Sequence, residues 1–250
     1  MKNIVIVTGA SRGIGAATAR KLGAKGACVV INYNQAEKQA QAVLNDVIQA
    51  GGQGLCIQGD VGRESDVLRM FEQTQKHFGV PTGLVNNAGI AGSSKRRIED
   101  LDFETMTDIM RINVIGTLLC SREAVLRMSQ RNGGKGGAIV NVSSLGALTG
   151  SPFTFVDYGA SKGAVDTLTT GMATELAKYG VRVNGVRPGM IDTEIHASAG
   201  MADRVEKHGP QMPMGRAGLA EEVADVIVFL LSKESSYVTG TMVDVSGGAR

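Results

Sequence analysis

Tyr158 and Lys162 stand four residues apart in Tyr158-Gly-Ala-Ser-Lys162. On a helix that spacing stacks two side chains one turn apart on one face. A free phenol ionises near pH ~10, too high for easy proton exchange at neutral pH. A neighbouring ammonium favours the phenolate and is expected to lower that value, making the pair a candidate general acid/base. The same spacing also occurs as an ordinary exposed pair, so the chemistry depends on what surrounds it.

The elements that must position the pair can be read along the chain. Asn3-Ile-Val-Ile-Val-Thr8 is a short β-branched run that predicts a buried parallel strand. It leads into Thr8-Gly-Ala-Ser-Arg-Gly-Ile-Gly15 and an Ala-rich helical segment to about Lys25. Strand, glycine-rich turn and helix is the order of a phosphate cradle, in which backbone N–H groups at a helix N-terminus meet an anion. The spacing Gly-x3-Gly-x-Gly differs from the common Gly-x-Gly-x-x-Gly, and a tight β-α turn without a ligand reads the same way. Further strands are expected at 27–32, 53–58, 83–85, 138–142, 181–186 and 241–245. Helices are expected at 35–50, 64–78, 101–132, 158–179 and 219–232. This alternation predicts one α/β domain over residues 1–250, a doubly wound parallel sheet of about seven strands. Ligands in such sheets bind beyond the carboxyl ends of the strands, where Gly9, Asp60 and Asn87 fall.

Three segments carry further expectations. The helix over 101–132 has apolar residues around much of its circumference, which predicts burial on two sides, with Asn113 in its apolar middle. Met190–Gly218 is long, weakly periodic and methionine-rich, which predicts a lid over a substrate. Lys95-Arg96-Arg97 reads as a solvated charge run or as a rim that attracts an acidic substrate.

Composition excludes several classes. A net charge of +2 is too small to argue for nucleic acid or an anionic membrane, and the absence of Trp leaves little for base stacking. No apolar run approaches the ~18 residues of a membrane span. Cys28, Cys56 and Cys120 are far apart and show no metal-ligand spacing, so neither a disulfide framework nor a metal site is expected. Free thiols and the lack of a signal-peptide pattern fit the cytoplasm.

Thr8-Gly-x3-Gly13-x-Gly15, Asn87-Ala-Gly89, Asn113, Ser144, Tyr158-x3-Lys162 and Pro188-Gly189 together resemble the short-chain dehydrogenase/reductase family. Within it the chain is most similar to bacterial glucose-1-dehydrogenase-like oxidoreductases. The resemblance implies a Rossmann fold and hydride transfer between a nicotinamide dinucleotide and a carbonyl or secondary alcohol. It implies that Tyr158 moves the proton and that Lys162 binds the nicotinamide ribose. Ser144 would hold the substrate oxygen, and Asn113 would anchor a water relaying protons from Lys162. Gly9, Ser11, Arg12, Gly13 and Ile14 would surround the phosphates; Asp60 and Val61 the adenine; Asn87, Ala88 and Gly89 the adenosine ribose and fourth strand. Pro188, Gly189, Ile191 and Thr193 would lie along the nicotinamide. Members of the family often have the serine thirteen residues before the tyrosine; here Ser144 lies fourteen before Tyr158 and Ser143 fifteen, which implies one inserted residue and leaves Ser143 as a rival.

The second strand ends in Asn32-Tyr33-Asn34, with no acid before Glu37. An NAD site usually has an acid there for the ribose 2′-hydroxyl, so its absence, with Arg12 nearby, predicts NADP(H) preferred and NAD(H) accepted. The apolar helix and the small-residue face at Gly159–Gly171 predict a homo-oligomer, in particular a homotetramer. The alternative to an enzyme is a dinucleotide-sensing binding module on the same fold; a dehydratase or epimerase is a weaker third reading. His77, His196 and His208 match no catalytic position, although His196 falls in the lid.

Overall fold

A computed structural model describes residues 3–93 and 97–250, with the side chain of His196 outside that description. The rim expectation at Lys95 and Arg96 therefore lies outside the described residues. Arg97 is exposed and pairs with Glu99 at 3.3 Å.

The chain runs β1 (Ile4–Val7), α1 (Gly13–Ala24), β2 (Cys28–Tyr33), α2 (Glu37–Gln49), β3 (Gln53–Gln58), α3 (Glu64–His77) and β4 (Gly83–Asn86). Then come α4 (Phe103–Met110), α5 (Gly116–Met128), β5 (Gly137–Val142), α6 (Gly146–Thr149), α7 (Val156–Leu176) and β6 (Val181–Pro188). Last are β7 (Ile191–Asp192), α8 (Ile195–Ser198), α9 (Arg204–His208), β8 (Gly218–Leu219), α10 (Ala220–Leu231) and β9 (Met242–Val245). Seven strands form one parallel sheet in the order β3-β2-β1-β4-β5-β6-β9. The direction of winding reverses between β1 and β4, so a crevice opens beyond their carboxyl ends.

Alternation along β1 explains why β-branched residues fill it. Val5 and Val7 join the core packed with α1, α2 and α10, whereas Ile6 joins the core packed with α3, α5 and α7. The helices cover these faces with regular stripes: Ala40, Val43 and Val47 on α2, and Val67, Met70, Phe71 and Thr74 on α3. The first core includes Leu22 of α1 together with Ala16 and Ala19, whose small side chains let the helix lie close to its neighbours.

A buried polar chain crosses the second face. Asn86 Nδ2 donates to Ser121 Oγ (3.0 Å) and Asn141 Oδ1 (2.8 Å), and Asn141 Nδ2 donates to Thr169 Oγ1 (2.9 Å). It ties α5, β4, β5 and α7 together, and a slip between β4 and β5 would leave buried amides unpaired.

One expectation is corrected here. The helix expected over 101–132 is α4 and α5 joined through a π turn at Arg111–Ile115. It is not buried on two sides: Phe103 is 81% exposed, Met110 43%, Ile115 46%, Leu118 39% and Leu126 52%. Within one chain its inner face alone meets the sheet layer. The segment 190–218, expected as a lid, contains the short helices α8 and α9, and β7 pairs with β8 at its base, Ile191 opposite Gly218.

Candidate active site and cofactor cradle

Tyr158 and Lys162 lie near the start of α7, at the carboxyl edge of β5. Lys162 is 4% exposed, and its Nζ donates to the Val142 carbonyl at 2.7 Å and stands 5.6 Å from the Tyr158 ring centroid. Burial pulls the ammonium down to about 8, against a smaller opposing effect of Asp166. Burial also holds the Tyr158 phenol above its ordinary value, and its hydrogen bond with Ser144 works against that. The expectation that Lys162 lowers the phenol is therefore not met in this arrangement. Desolvation dominates, and Lys162 directs its charge at the Val142 carbonyl.

The two serines separate by geometry. Ser143 is 3% exposed and donates to the Lys162 carbonyl at 3.1 Å, so it braces α7 against β5. Ser144 Oγ meets the Tyr158 phenol and accepts from the Gly146 N–H at 3.0 Å. The segment between Ser144 and Tyr158 folds as α6 and a turn in which Ser151 (φ 46°) and Phe153 (φ 61°) adopt the left-handed region. That turn brings Phe155 against Tyr158, ring centroids 6.1 Å apart and near edge-on at 65°.

Asn113 sits in the π turn, 1% exposed. Its Oδ1 accepts from the Ile90 N–H, and its Nδ2 donates to the Ile90 carbonyl and to Ser161 Oγ, all at 2.9 Å. Ser161 in turn donates to the Tyr158 carbonyl at 2.7 Å, which joins the turn to α7. A side chain at Gly89 would come within 3.2 Å of Asn113 Oδ1 and 3.5 Å of Lys162 Nζ. Only a glycine leaves the space between those two groups open.

The glycine-rich turn is held from beneath. Thr8 Oγ1 accepts from the N–H groups of Asn87 and Ala88, both at 3.0 Å, and Asn87 Nδ2 donates to the carbonyls of Thr8 (2.8 Å) and Gly9 (2.9 Å). Gly9 has φ 60°, and a Cβ there would meet Ala88 Cα at 2.8 Å, so the position needs glycine for both conformation and space. α1 starts at Gly13 with no side-chain cap on its N-terminus. A bare, glycine-flanked helix start at the switch point of a parallel sheet fits a dinucleotide pyrophosphate.

A family model described as "Enoyl-(Acyl carrier protein) reductase" matches residues 9–250. The chain belongs to the short-chain dehydrogenase/reductase family. It is 51% identical to the Escherichia coli protein named "Uncharacterized oxidoreductase YgfF", covering 98% of this chain and 99% of that one. It is 34% identical to "Glucose 1-dehydrogenase 2" of Bacillus subtilis, covering 97% and 93%. A crystal structure of a short-chain type dehydrogenase/reductase from Mycobacterium marinum superposes with a TM-score of 0.91 at 33% identity, covering 98% and 94%. The chain is thus an oxidoreductase of this family, and membership implies a nicotinamide dinucleotide cofactor.

The remaining expected dehydrogenase/reductase positions divide. Ser11 and Ile14 flank the turn, Arg12 is exposed, and Gly13 faces Thr193, whose Cγ2 would lie 3.4 Å from a Cβ at that glycine. Pro188 and Gly189 close the β6 end: the Pro188 carbonyl accepts from Leu145 and the Gly189 N–H donates to Val245, both at 3.0 Å. Ile191 is 4% exposed and packs into the core beside the cradle.

Asn32 behaves differently from the expectation of a ribose contact. Its Oδ1 accepts from Gly9 N–H (3.2 Å), and its Nδ2 donates to the carbonyls of Ile57 (3.3 Å) and Gly59 (3.0 Å), so its amide supports the turn from inside. Tyr33 and Val61 are 7% and 6% exposed, with their side chains in the two cores. Asn34 alone of Asn32-Tyr33-Asn34 is exposed. The Asp60 carboxylate accepts from Gly62 N–H at 2.9 Å and pairs with Arg111 at 2.8 Å, anchoring the π turn to the end of β3.

Sequence reasoning missed the bracing roles of Thr8, Ser161, Arg111 and Phe155. Thr8 and Ser161 stand inside the Thr8–Gly15 and Tyr158–Lys162 stretches, but nothing in the sequence shows which groups they hold. No group of metal-ligating side chains occurs among the described residues, and none of their helices is long and apolar enough to cross a membrane.

Proposed function

We propose that this protein is an NAD(P)(H)-dependent oxidoreductase that moves a hydride between the nicotinamide and a carbonyl or secondary alcohol, with Tyr158 as general acid/base. The observation that carries this reading is the convergence of Ser144, Tyr158, Lys162 and Asn113 beside the glycine cradle. Ser144 and Tyr158, hydrogen-bonded to each other, present two hydroxyls to a substrate oxygen. In reduction that oxygen gains negative charge, which donors aimed at it stabilise; loss of one such donor typically costs about 2.7–4 kcal/mol. The cofactor, when bound, supplies or accepts the hydride. Lys162 binds the ribose and, across the space that Gly89 leaves, passes protons toward a water held by Asn113. A panel of ketones, aldehydes, secondary alcohols and sugars, followed by nicotinamide absorbance, tests the reading. Cofactor binding with no turnover across the panel would favour the sensing module instead.

NADP(H) is the preferred cofactor in this reading. Arg12 is exposed at the cradle with no ion-pair partner among the described residues, and its guanidinium suits a 2′-phosphate. Asn34 is exposed at the end of β2 and offers a neutral contact. Glu37 opposes them: its carboxylate raises both Tyr33 and Cys56, which puts its negative charge near that strand end. A modest preference with NAD(H) still accepted is the expected result. Arg12→Ala should narrow the kcat/KM ratio about tenfold, as loss of one charge-assisted bond implies, and Glu37→Gln should widen it. A wild-type ratio favouring NAD(H) would overturn the assignment.

The assembly is a homotetramer with isologous contacts. The exposed apolar residues of α4 and α5 need a cover, and a Cβ at Gly171 of α7 would meet nothing within 4 Å inside the chain, so α7 is open at that end of its small-residue face. Light scattering at micromolar concentration should report four chains. A monomer mass would refute the assembly, and Leu118→Asp should shift the mass downward. Free Cys28, Cys56 and Cys120, with the Cys120 thiol pushed up to about 12 by burial, suit the reducing cytoplasm as the compartment.

A further inference from the structure

Two arginines among the described residues have guanidinium groups pulled below their usual range by burial, Arg182 and Arg204. Their surroundings differ. Arg182 donates to three backbone carbonyls, those of Leu230 (2.9 Å), Val238 (3.2 Å) and Ser232 (2.9 Å). Arg204 has no oxygen partner among the described residues. Its Nη1 meets the Met201 thioether at 3.3 Å, its Nε is buried without any hydrogen bond, and its guanidinium lies 5.6 Å from the centroid of the Phe155 ring. A cation taken out of water without an anion is costly, and a thioether and an aromatic face compensate only weakly. Such a group marks a site where a ligand completes the pairing.

The position of Arg204 says which site. It opens α9 in the lid, and Phe155, over which it lies, packs edge-on against Tyr158. Phe155, Ala91 and Ala199 form a small apolar cluster with Tyr158 and Met201 that is separate from the two main cores. The segment 190–218 thus places one half-buried positive charge, with no oxygen partner among the described residues, a single aromatic ring away from the phenol, with an apolar wall between them.

We infer that Arg204 is the substrate's anion-binding residue, so that the substrate is a carbonyl or alcohol compound carrying a carboxylate or phosphate about one ring-width from the reacting oxygen. The inference rests on Tyr158 being the proton-transfer group. A guanidinium takes either oxyanion in bidentate fashion, and the apolar cluster takes the spacer. Short α-keto acids would not bridge the two groups.

The test uses para-acetylbenzoate, its methyl ester and para-acetylphenyl phosphate, assayed with the full-length protein and reduced cofactor. Wild type should favour one or both anions over the ester by about 10- to 100-fold in kcat/KM, as one charge-assisted pair implies. Which anion wins identifies the headgroup. Arg204→Met should abolish that ratio, and Arg204→Lys should restore part of it, since it keeps the charge and loses the planar fork. Equal turnover of acid and ester, with Arg204→Met leaving the ratio unchanged, overturns the inference and leaves the dehydrogenase reading intact. If none of the three is reduced, binding decides. Calorimetric titration of the cofactor-loaded protein should detect an anion in wild type and not in Arg204→Met, which would retain Arg204 while counting against catalysis. No anion binding, or equal binding in the variant, overturns the inference.

Discussion

Tyr158→Phe should abolish turnover and leave cofactor binding in place. The change removes one oxygen and keeps the ring that packs against Phe155. General acid–base catalysis typically contributes about 10²–10⁴-fold, so kcat/KM should fall by that factor once an active substrate is in hand. The cofactor dissociation constant should change little, because the cradle is built on Gly9, Asn87 and the start of α1, none of which touches the phenol in this fold. A variant that turns over within about tenfold of wild type would remove Tyr158 from the mechanism.

Lys162→Met should give an inactive protein that is more stable than wild type at neutral pH. Burial lowers the ammonium from 10.5 to about 8, a difference of about 3 kcal/mol carried by the charged form in the folded chain. Methionine fills similar volume without that charge, although it forfeits the bond to the Val142 carbonyl, so a net gain of about 2 kcal/mol is expected. Its pH dependence distinguishes this cause from simple repacking. Between about 8 and 10.5 the unfolded chain keeps a proton that the folded chain has released, so wild-type stability rises with pH through that window. Below about 8 the penalty is constant. The stability gap between variant and wild type should therefore be flat from pH 6 to 8 and shrink above it. Urea midpoints across that range would show it; a variant less stable than wild type at pH 7 would mean that the ammonium is held by more than the Val142 carbonyl.

Much of the fold is legible in the chain, for identifiable reasons. β3 is expected and found at Gln53–Gln58, because Gly51-Gly52 and Gly59 bracket a short apolar run. β1 and β4 read clearly because strands buried on both faces must be continuously apolar. The two-residue strands β7 and β8 are too short for periodicity to register. Type and spacing single out the candidate site residues, but they do not show what each side chain touches. Asn32 and Asn87 sit where a ligand would pass, yet both use their amides to hold the turn, a choice set by neighbours far along the chain. The direction of the Tyr158 shift was missed because adjacency to Lys162 is visible in a sequence and desolvation is not.

The π turn has a consequence for how a long helix can serve two masters. Phe103 and Met110, two turns apart, face outward at 81% and 43% exposure. An uninterrupted helix would turn Thr117 outward next, yet Thr117 is 6% exposed and Leu118 is 39%. The turn slips the helix by one residue, so that Asn113 points inward to Ile90 while the outer row resumes with Leu118. Deleting one residue from Arg111–Ile115 would close the π turn into plain α-helix and place Leu118 seven residues after Met110, so the outer row would continue unbroken. The residue lost would be the extra one that lets Asn113 reach Ile90. The inner polar anchor is thus set by a single residue count, and a length change that the helix and its outer apolar row would accept would remove it.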